Sequence, residues 1–113
     1  LDREWQRRLP EEFLGWNNIV RQRFGPRRVT GGVLFQAFHK EARCVEIAGD
    51  FNQWVPEDLF RRTSQGLWQK VLLIGSGSYR YKLIVDGEWQ MDPEQDAKRA
   101  NAFGTFDSYV EIR

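Results

Sequence analysis

Cysteine and histidine are nearly absent from this 113-residue chain, which has one of each, Cys44 and His39. A single thiol excludes an internal disulfide and fits a reducing compartment, so a cytoplasmic location is expected. The two residues lie five positions apart near a strand turn, with no third group to orient a base. Neither a nucleophile–base pair nor a metal site is expected of them, and both read as structural. Also missing is any apolar run near the roughly 20 residues of a membrane span, and no charged-then-apolar signal segment opens the chain. No membrane partner is expected in this segment. The chain begins at Leu1 without a methionine, which predicts a piece of a longer protein. Internal repeats and low-complexity tracts are absent, and a net charge of +1 supplies no strong field for nucleic acid or acidic membrane.

The chain is rich in aromatic rings. Sixteen residues are Phe, Trp or Tyr, five of them Trp. A single core of this size cannot easily hide every indole, so some are expected at the surface for a purpose. Charge is distributed unevenly: residues 1–28 hold seven Arg against four acids, and the remainder ten basic against twelve acidic residues. The break between basic and mildly acidic stretches predicts a helical extension over residues 1–28 and a single folded unit over residues 29–113.

In the first stretch Trp5, Leu9, Phe13, Trp16, Val20 and Phe24 recur at steps of three or four, which places them on one face of an amphipathic helix. Pro10 with Glu11 and Glu12 suits a first helical turn, and Gly25-Pro26 suits an end, so the main helix is expected over 10–24. The stripe would dock on the folded unit or a neighbouring domain, or serve a partner or self-association. Arg3, Arg7, Arg8, Arg21, Arg23, Arg27 and Arg28 accompany it without any nucleic-acid-binding motif, and no nucleic-acid partner is expected.

From Val29 the period shifts toward two and turn residues arrive every eight to twelve positions, the pattern of an antiparallel β-sandwich. Strands are expected over 33–39, 43–48, 67–74, 79–86, 88–90 and 108–112. Lys40-Glu41-Ala42 and Gly75-Ser76-Gly77-Ser78 read as turns, and Asp86-Gly87 as a tight hairpin. Residues 91–106 form a long connection of the kind that often binds ligands.

Two segments carry chemistry. In the first, Gly49 permits a tight turn, Asp50 and Asn52 can hold it through backbone hydrogen bonds, Phe51 can plug the core and Trp54 can turn outward. In the second, alternation puts Tyr79, Tyr81, Leu83 and Val85 on one face and Arg80, Lys82 and Ile84 on the other. Trp89, folding back across the hairpin, would set an indole beside the Lys82 ammonium. A pyranose suits that pair, since its C–H face can lie on the ring while its hydroxyls meet polar groups. Two plainer readings stand beside this: Trp54 as cover for the sandwich edge, and Lys82 with Trp89 as a stabilising cation–π pair.

The order Gly49-Asp50-Phe51-Asn52-x-Trp54, Tyr81-Lys82-x-x-Val85-Asp86-Gly87-x-Trp89, Asp92-Pro93 and Phe103-Gly104-Thr105-x-Asp107-Ser108 resembles carbohydrate-binding module family 48. This is the early-set immunoglobulin-like domain that forms the glycogen-binding domain of AMP-activated protein kinase β subunits and precedes the catalytic domains of isoamylases and branching enzymes. The resemblance covers residues 30–113. It implies an all-β sandwich and α-glucan, glycogen or starch-like, as the partner. Trp54 and Trp89 fall on the family's stacking tryptophans, Lys82 on its sugar-bonding lysine and Thr105 on its threonine. Phe103 stands where glycogen-binding members have a leucine. Asp107 stands where they have an asparagine, and a carboxylate there keeps acceptors but loses the amide donor.

No catalysis and no cofactor are expected. Asp86, Glu88, Asp92, Glu94 and Asp96 read as solvated loop charges, because a glycosidase pair needs two carboxylates at a set separation across a cleft. Asp92-x-Glu94-x-Asp96 begins like a calcium loop, but Ala97 and Phe103 stand where that loop needs Gly and Glu. The function expected is a non-catalytic module anchoring a larger protein to α-glucan. A protein-interaction or assembly module with the same fold and no sugar binding is the alternative.

Overall fold

Alternating short segments bounded by turn residues can satisfy their backbone groups only by pairing with one another, and they do. The computed structural model describes residues 25–113. It contains β1 (Arg27–Val29), β2 (Gly32–Phe38), β3 (Val45–Gly49), β4 (Glu57–Asp58), β5 (Phe60–Arg61), β6 (Leu67–Leu72), β7 (Gly77–Val85), β8 (Glu88–Gln90), β9 (Lys98–Ala100) and β10 (Phe106–Ile112). A 3-10 turn over Asp50–Asn52 is the only helical element among the described residues. None of their helices is long and apolar enough to cross a membrane. The helix expected over 10–24 lies outside the described residues. The boundary drawn between residues 28 and 29 falls inside β1.

The strands form two antiparallel sheets, a first in the order β1-β2-β6-β5 and a second in the order β4-β3-β7-β10-β9, with β8 added to β7. Inward residues of both fill one core. Val33, Phe35 and Ala37 come from β2, Trp68 and Leu72 from β6, Val45 and Ile47 from β3, Tyr81 and Leu83 from β7, and Val110 and Ile112 from β10. Phe35 and Tyr81 meet edge to face across the sandwich with centroids 5.2 Å apart. Each is almost wholly buried, which is worth about 1.5–3 kcal/mol per large apolar side chain. Phe51 plugs one end of this cluster, 5.2 Å from Phe35.

Three features of the backbone set up the second sheet. The segment after β2 passes from one sheet to the other rather than making a local turn, and Ala42 within it is buried. The β7–β8 hairpin turns on Asp86 and Gly87 with φ of 50° and 87°, as this residue pair favours. Asp86 Oδ1 also accepts from the Arg43 and Cys44 amides at 2.9 Å each, tying the hairpin to the start of β3. Finally, one edge of β7 changes partner along its length. β10 pairs with Gly77 through Tyr81 and β8 with Leu83 through Val85, leaving Lys82 at the changeover.

Asp92 differs from the sequence expectation. It is buried, not solvated. Tyr81 Oη donates to its Oδ2 at 2.6 Å, the Glu94 amide donates to its Oδ1 at 2.9 Å, and its own amide donates to Ser108 Oγ at 2.8 Å. Burial foremost pushes the Asp92 carboxyl above its ordinary value, and burial followed by the Asp92 charge pushes the Tyr81 phenol well up. The connection after β8 is thus bolted to the core before it reaches β9, a short strand inside what the sequence reads as a continuous loop.

Candidate functional site

The outer face of the second sheet carries a groove of about 550 Å³. Trp54, Lys82, Trp89, Phe103, Thr105 and Asp107 all line it, and so do Asp50, Arg80 and Asn101. Each reaches the groove by a local mechanism.

Trp54 follows the 3-10 turn at the end of β3. Gly49 is required there because a Cβ would stand 2.5 Å from Arg80 O and 2.7 Å from Tyr81 Cβ. Asn52 holds the turn as expected, accepting from the Gly49 amide at 2.9 Å and donating to Glu57 at 2.7 Å. Asp50 does something else. Its Oδ1 accepts from Trp54 Nε1 at 3.0 Å and its Oδ2 from the Arg80 amide at 2.8 Å, so one carboxylate brackets the indole to β7. Gln53 and Trp54 both have positive φ, 56° and 61°, a conformation that disfavours side chains with a Cβ. The bracket and the Trp54 N–H to Gly49 carbonyl bond, 2.9 Å, hold it.

Lys82 and Arg80 occupy alternate positions on the outer side of β7. Trp89 stands opposite Ile84. Ile84 is only 3% exposed, while Trp89 itself is 49% exposed. The third wall is the loop between β9 and β10. Asn101 closes it: its Oδ1 accepts from the Phe103 and Thr105 amides, and its Nδ2 donates to Thr105 Oγ1 at 2.8 Å and Asp107 Oδ1 at 3.0 Å. Gly104, with φ of 82°, allows the reversal, and Phe103 projects from the tip with 90% of its surface exposed. Lys82 Nζ donates to Thr105 Oγ1 at 3.3 Å.

Asp107 lines the groove from below. It is 6% exposed, with Lys82 Nζ and Arg80 Nη1 each 3.9 Å from its carboxylate. Two cations thus face two carboxylates, Asp50 and Asp107, leaving the groove formally neutral, with apolar rings at its rim and hydroxyl, amide and ammonium groups on its floor. Such a surface suits a neutral ligand with apolar faces and many hydroxyls. Both carboxylates are engaged in holding neighbouring groups. The contributions of Asp50 and Asn101 were not visible in the sequence. Asp50 reads there as a turn residue, and Asn101 carries no signal beyond the preference of Asn for loops.

Elsewhere, Cys44, Glu46 and Asp58 bring donor atoms within 4.8 Å of one another. Burial foremost, with the charges of Glu46, Asp58 and Asp86, pushes the Cys44 thiol up.

A two-sheet antiparallel sandwich with a preformed, aromatic-walled groove on one outer face is a binding module by architecture. The family model for the glycogen recognition site of AMP-activated protein kinase matches residues 33–113, and the chain belongs to that family. It is 26% identical over 103 residues to the 5'-AMP-activated protein kinase subunit beta-1 of Mus musculus, a match that takes in 91% of the chain and 37% of the subunit. The Sus scrofa subunit is 28% identical over 103 residues, covering 91% of the chain and 81% of that sequence. An amyloplastic phosphoglucan phosphatase of Castanea sativa is 38% identical over 48 residues, 42% of the chain and 13% of the phosphatase. The chain therefore spans little more than a third of the length of the mouse subunit.

Proposed function

We propose that the groove binds α-glucan, glycogen or starch-like, and that the module anchors a larger protein to that polymer without catalysing any reaction on it. The observation that carries this reading is the meeting of two indoles and an exposed phenyl ring with Lys82, Thr105 and Asn101 around one neutral groove. Trp54 and Trp89 take the apolar faces of pyranose rings, Phe103 packs against the chain from the loop side, and Lys82 and Thr105 bond hydroxyls. Asp107 acts from below by holding Lys82 and Arg80. The description of the family and the name of the phosphoglucan phosphatase point to the same ligand class.

Stacking must displace water and order flexible linkages, so the net affinity is modest, with a dissociation constant between about 10 μM and 1 mM, roughly 4–7 kcal/mol. The test is titration of maltoheptaose into the wild-type chain and the Trp54→Ala, Trp89→Ala double variant. Binding by the wild type and loss of at least about tenfold in the variant is expected. Equal binding by both would put the site elsewhere. No binding by the wild type at millimolar sugar would favour a protein-docking module.

A further inference from the structure

The polar groups of the groove differ in what they still have to offer a ligand. Both oxygens of Asp50 are taken, by Trp54 Nε1 and by the Arg80 amide. The Asn101 side chain is turned to its own loop at both ends. Asp107 accepts from Asn101 Nδ2 at 3.0 Å and lies beneath Lys82 and Arg80, almost wholly buried. Arg80 is different. Its Nη1 donates to Ala100 O at 2.8 Å and lies 3.9 Å from Asp107 Oδ2. Its Nε and Nη2 make no hydrogen bond among the described residues, and the side chain is 41% exposed where it lines the groove.

The position of that free edge follows from the sheet. Arg80 extends from β7 across β10 to a carbonyl at the end of β9, so the guanidinium is held at its far end while its other edge stays open. The carboxylate that fixes the Trp54 indole also accepts from the Arg80 amide, so indole and arginine are anchored to one another through Asp50. A pyranose lying on an indole turns its hydroxyls outward around the rim of its own ring. The Nε–Nη2 edge of a guanidinium presents two nearly parallel N–H groups and takes two neighbouring oxygens at once. In a 1,4-linked glucan the 2- and 3-hydroxyls are the free pair on neighbouring ring carbons, and a 1,3 linkage consumes one of them.

We infer that Arg80 is a direct ligand of the sugar, its free Nε–Nη2 edge taking the 2- and 3-hydroxyls of the pyranose stacked on Trp54. This rests on the α-glucan reading of the groove and adds a selection rule to it: chains with both hydroxyls free are bound, and 1,3-linked glucans are discriminated against. Asp107, expected from the order of motifs to contact the ligand, orients the guanidinium from behind instead.

The test titrates β-cyclodextrin, a ring of 1,4-linked α-glucose, and its 2,3-di-O-methyl derivative into the full chain and its Arg80 variants. The wild type should bind the methylated ring at least about tenfold more weakly than the unmodified one. Arg80→Ala should lose about five- to tenfold toward the unmodified ring, and its penalty for methylation should shrink by a similar factor, the coupling that direct contact produces. Equal losses toward both rings would assign Arg80 to holding the β9–β10 loop and overturn the inference, as would no loss at all. Arg80→Lys keeps the charge beside Asp107 without the fork. It should hold the Tm of the wild type and still lose at least about threefold, and full affinity in this variant overturns the bidentate contact. A wild type that binds neither ring refutes the α-glucan reading itself, and this inference with it.

Discussion

The outer faces of the two sheets arise from the same alternation and end in opposite states. On the first sheet, outward Leu34 and Val71 are 0% and 2% exposed; on the second, Trp89 is 49% exposed, and Phe103 on the adjoining β9–β10 loop is 90% exposed. The two faces also differ in how their side chains are paired. The first face sets like against like, Leu34 with Val71 and Gln36 with Gln69, which leaves a flat, weakly polar surface. The second interleaves rings with Arg80, Lys82 and Asp107, so that charged groups brace the rings apart and a groove remains. Period two identifies which side of a strand a residue takes, and the neighbours on that side determine whether it stays wet.

The sharpest way to break this contrast is to place the same charge on both faces. Val71→Lys puts an ammonium into a dry position and should cost about 3 kcal/mol or more, lowering Tm by more than about 10 °C. Phe103→Lys should stay within about 0.5 kcal/mol of wild type. Thermal melts of the two variants check this, and equal losses would erase the distinction between the faces.

A second comparison concerns the groove itself. Asp50→Asn replaces a two-acceptor bracket with a group that must turn its NH₂ toward one of two donors. It should cost about 1–2 kcal/mol of stability and weaken maltoheptaose binding by roughly 3–10-fold through loosening of Trp54. Phe103→Ala should give a similar loss in the titration without any change in Tm, separating a residue that holds the site from one that only contacts the ligand.

Between the faces lies Asp92, whose carboxyl is raised by burial. Its folded-state value exceeds the unfolded one, so its contribution to stability is fully present below the unfolded value and is lost as pH rises through the folded value. The Tm of wild type relative to Asp92→Asn should therefore rise as pH falls from neutral toward about 4. A flat or opposite difference would show that the buried carboxyl does not set this dependence. The smallest effect is expected of Asp107→Asn. Held under Asn101, Arg80 and Lys82, its side chain does not offer a new amide donor to the ligand, and affinity should change by less than about threefold in titration.

Much of the sandwich was legible in the sequence because β2, β6, β7 and β10 are long enough to show a period. β4, β5 and β9, with two or three residues each, are too short to show one, and pairing with longer neighbours creates them. The hairpin at Asp86-Gly87 was legible from backbone chemistry alone. Around the groove, alternation pointed to Lys82, the hairpin to Trp89 and the turn after Gly49 to Trp54, whereas Phe103 and Thr105 came from the order of motifs. The burial of Asp107 could not be read, since it depends on Asn101 arriving from a loop closure. Nor could the second task of Asp50, which requires knowing that β7 passes beside the turn. The Asp92 lock was misread as a solvated charge because Asp-Pro looks the same in sequence whether a tyrosine hydroxyl waits beneath it or not.

The Asp50 bracket also bears on timing. With the Trp54 ring fixed before any ligand arrives, association requires no loop rearrangement, and ordinary encounter rates of about 10⁶ M⁻¹s⁻¹ apply. At a dissociation constant near 100 μM this gives release about a hundred times per second, a residence of roughly ten milliseconds. On a polymer of repeating units each release leaves the groove beside another identical segment, so the proposed anchor would hold its position by rapid recapture and creep along the glucan between captures.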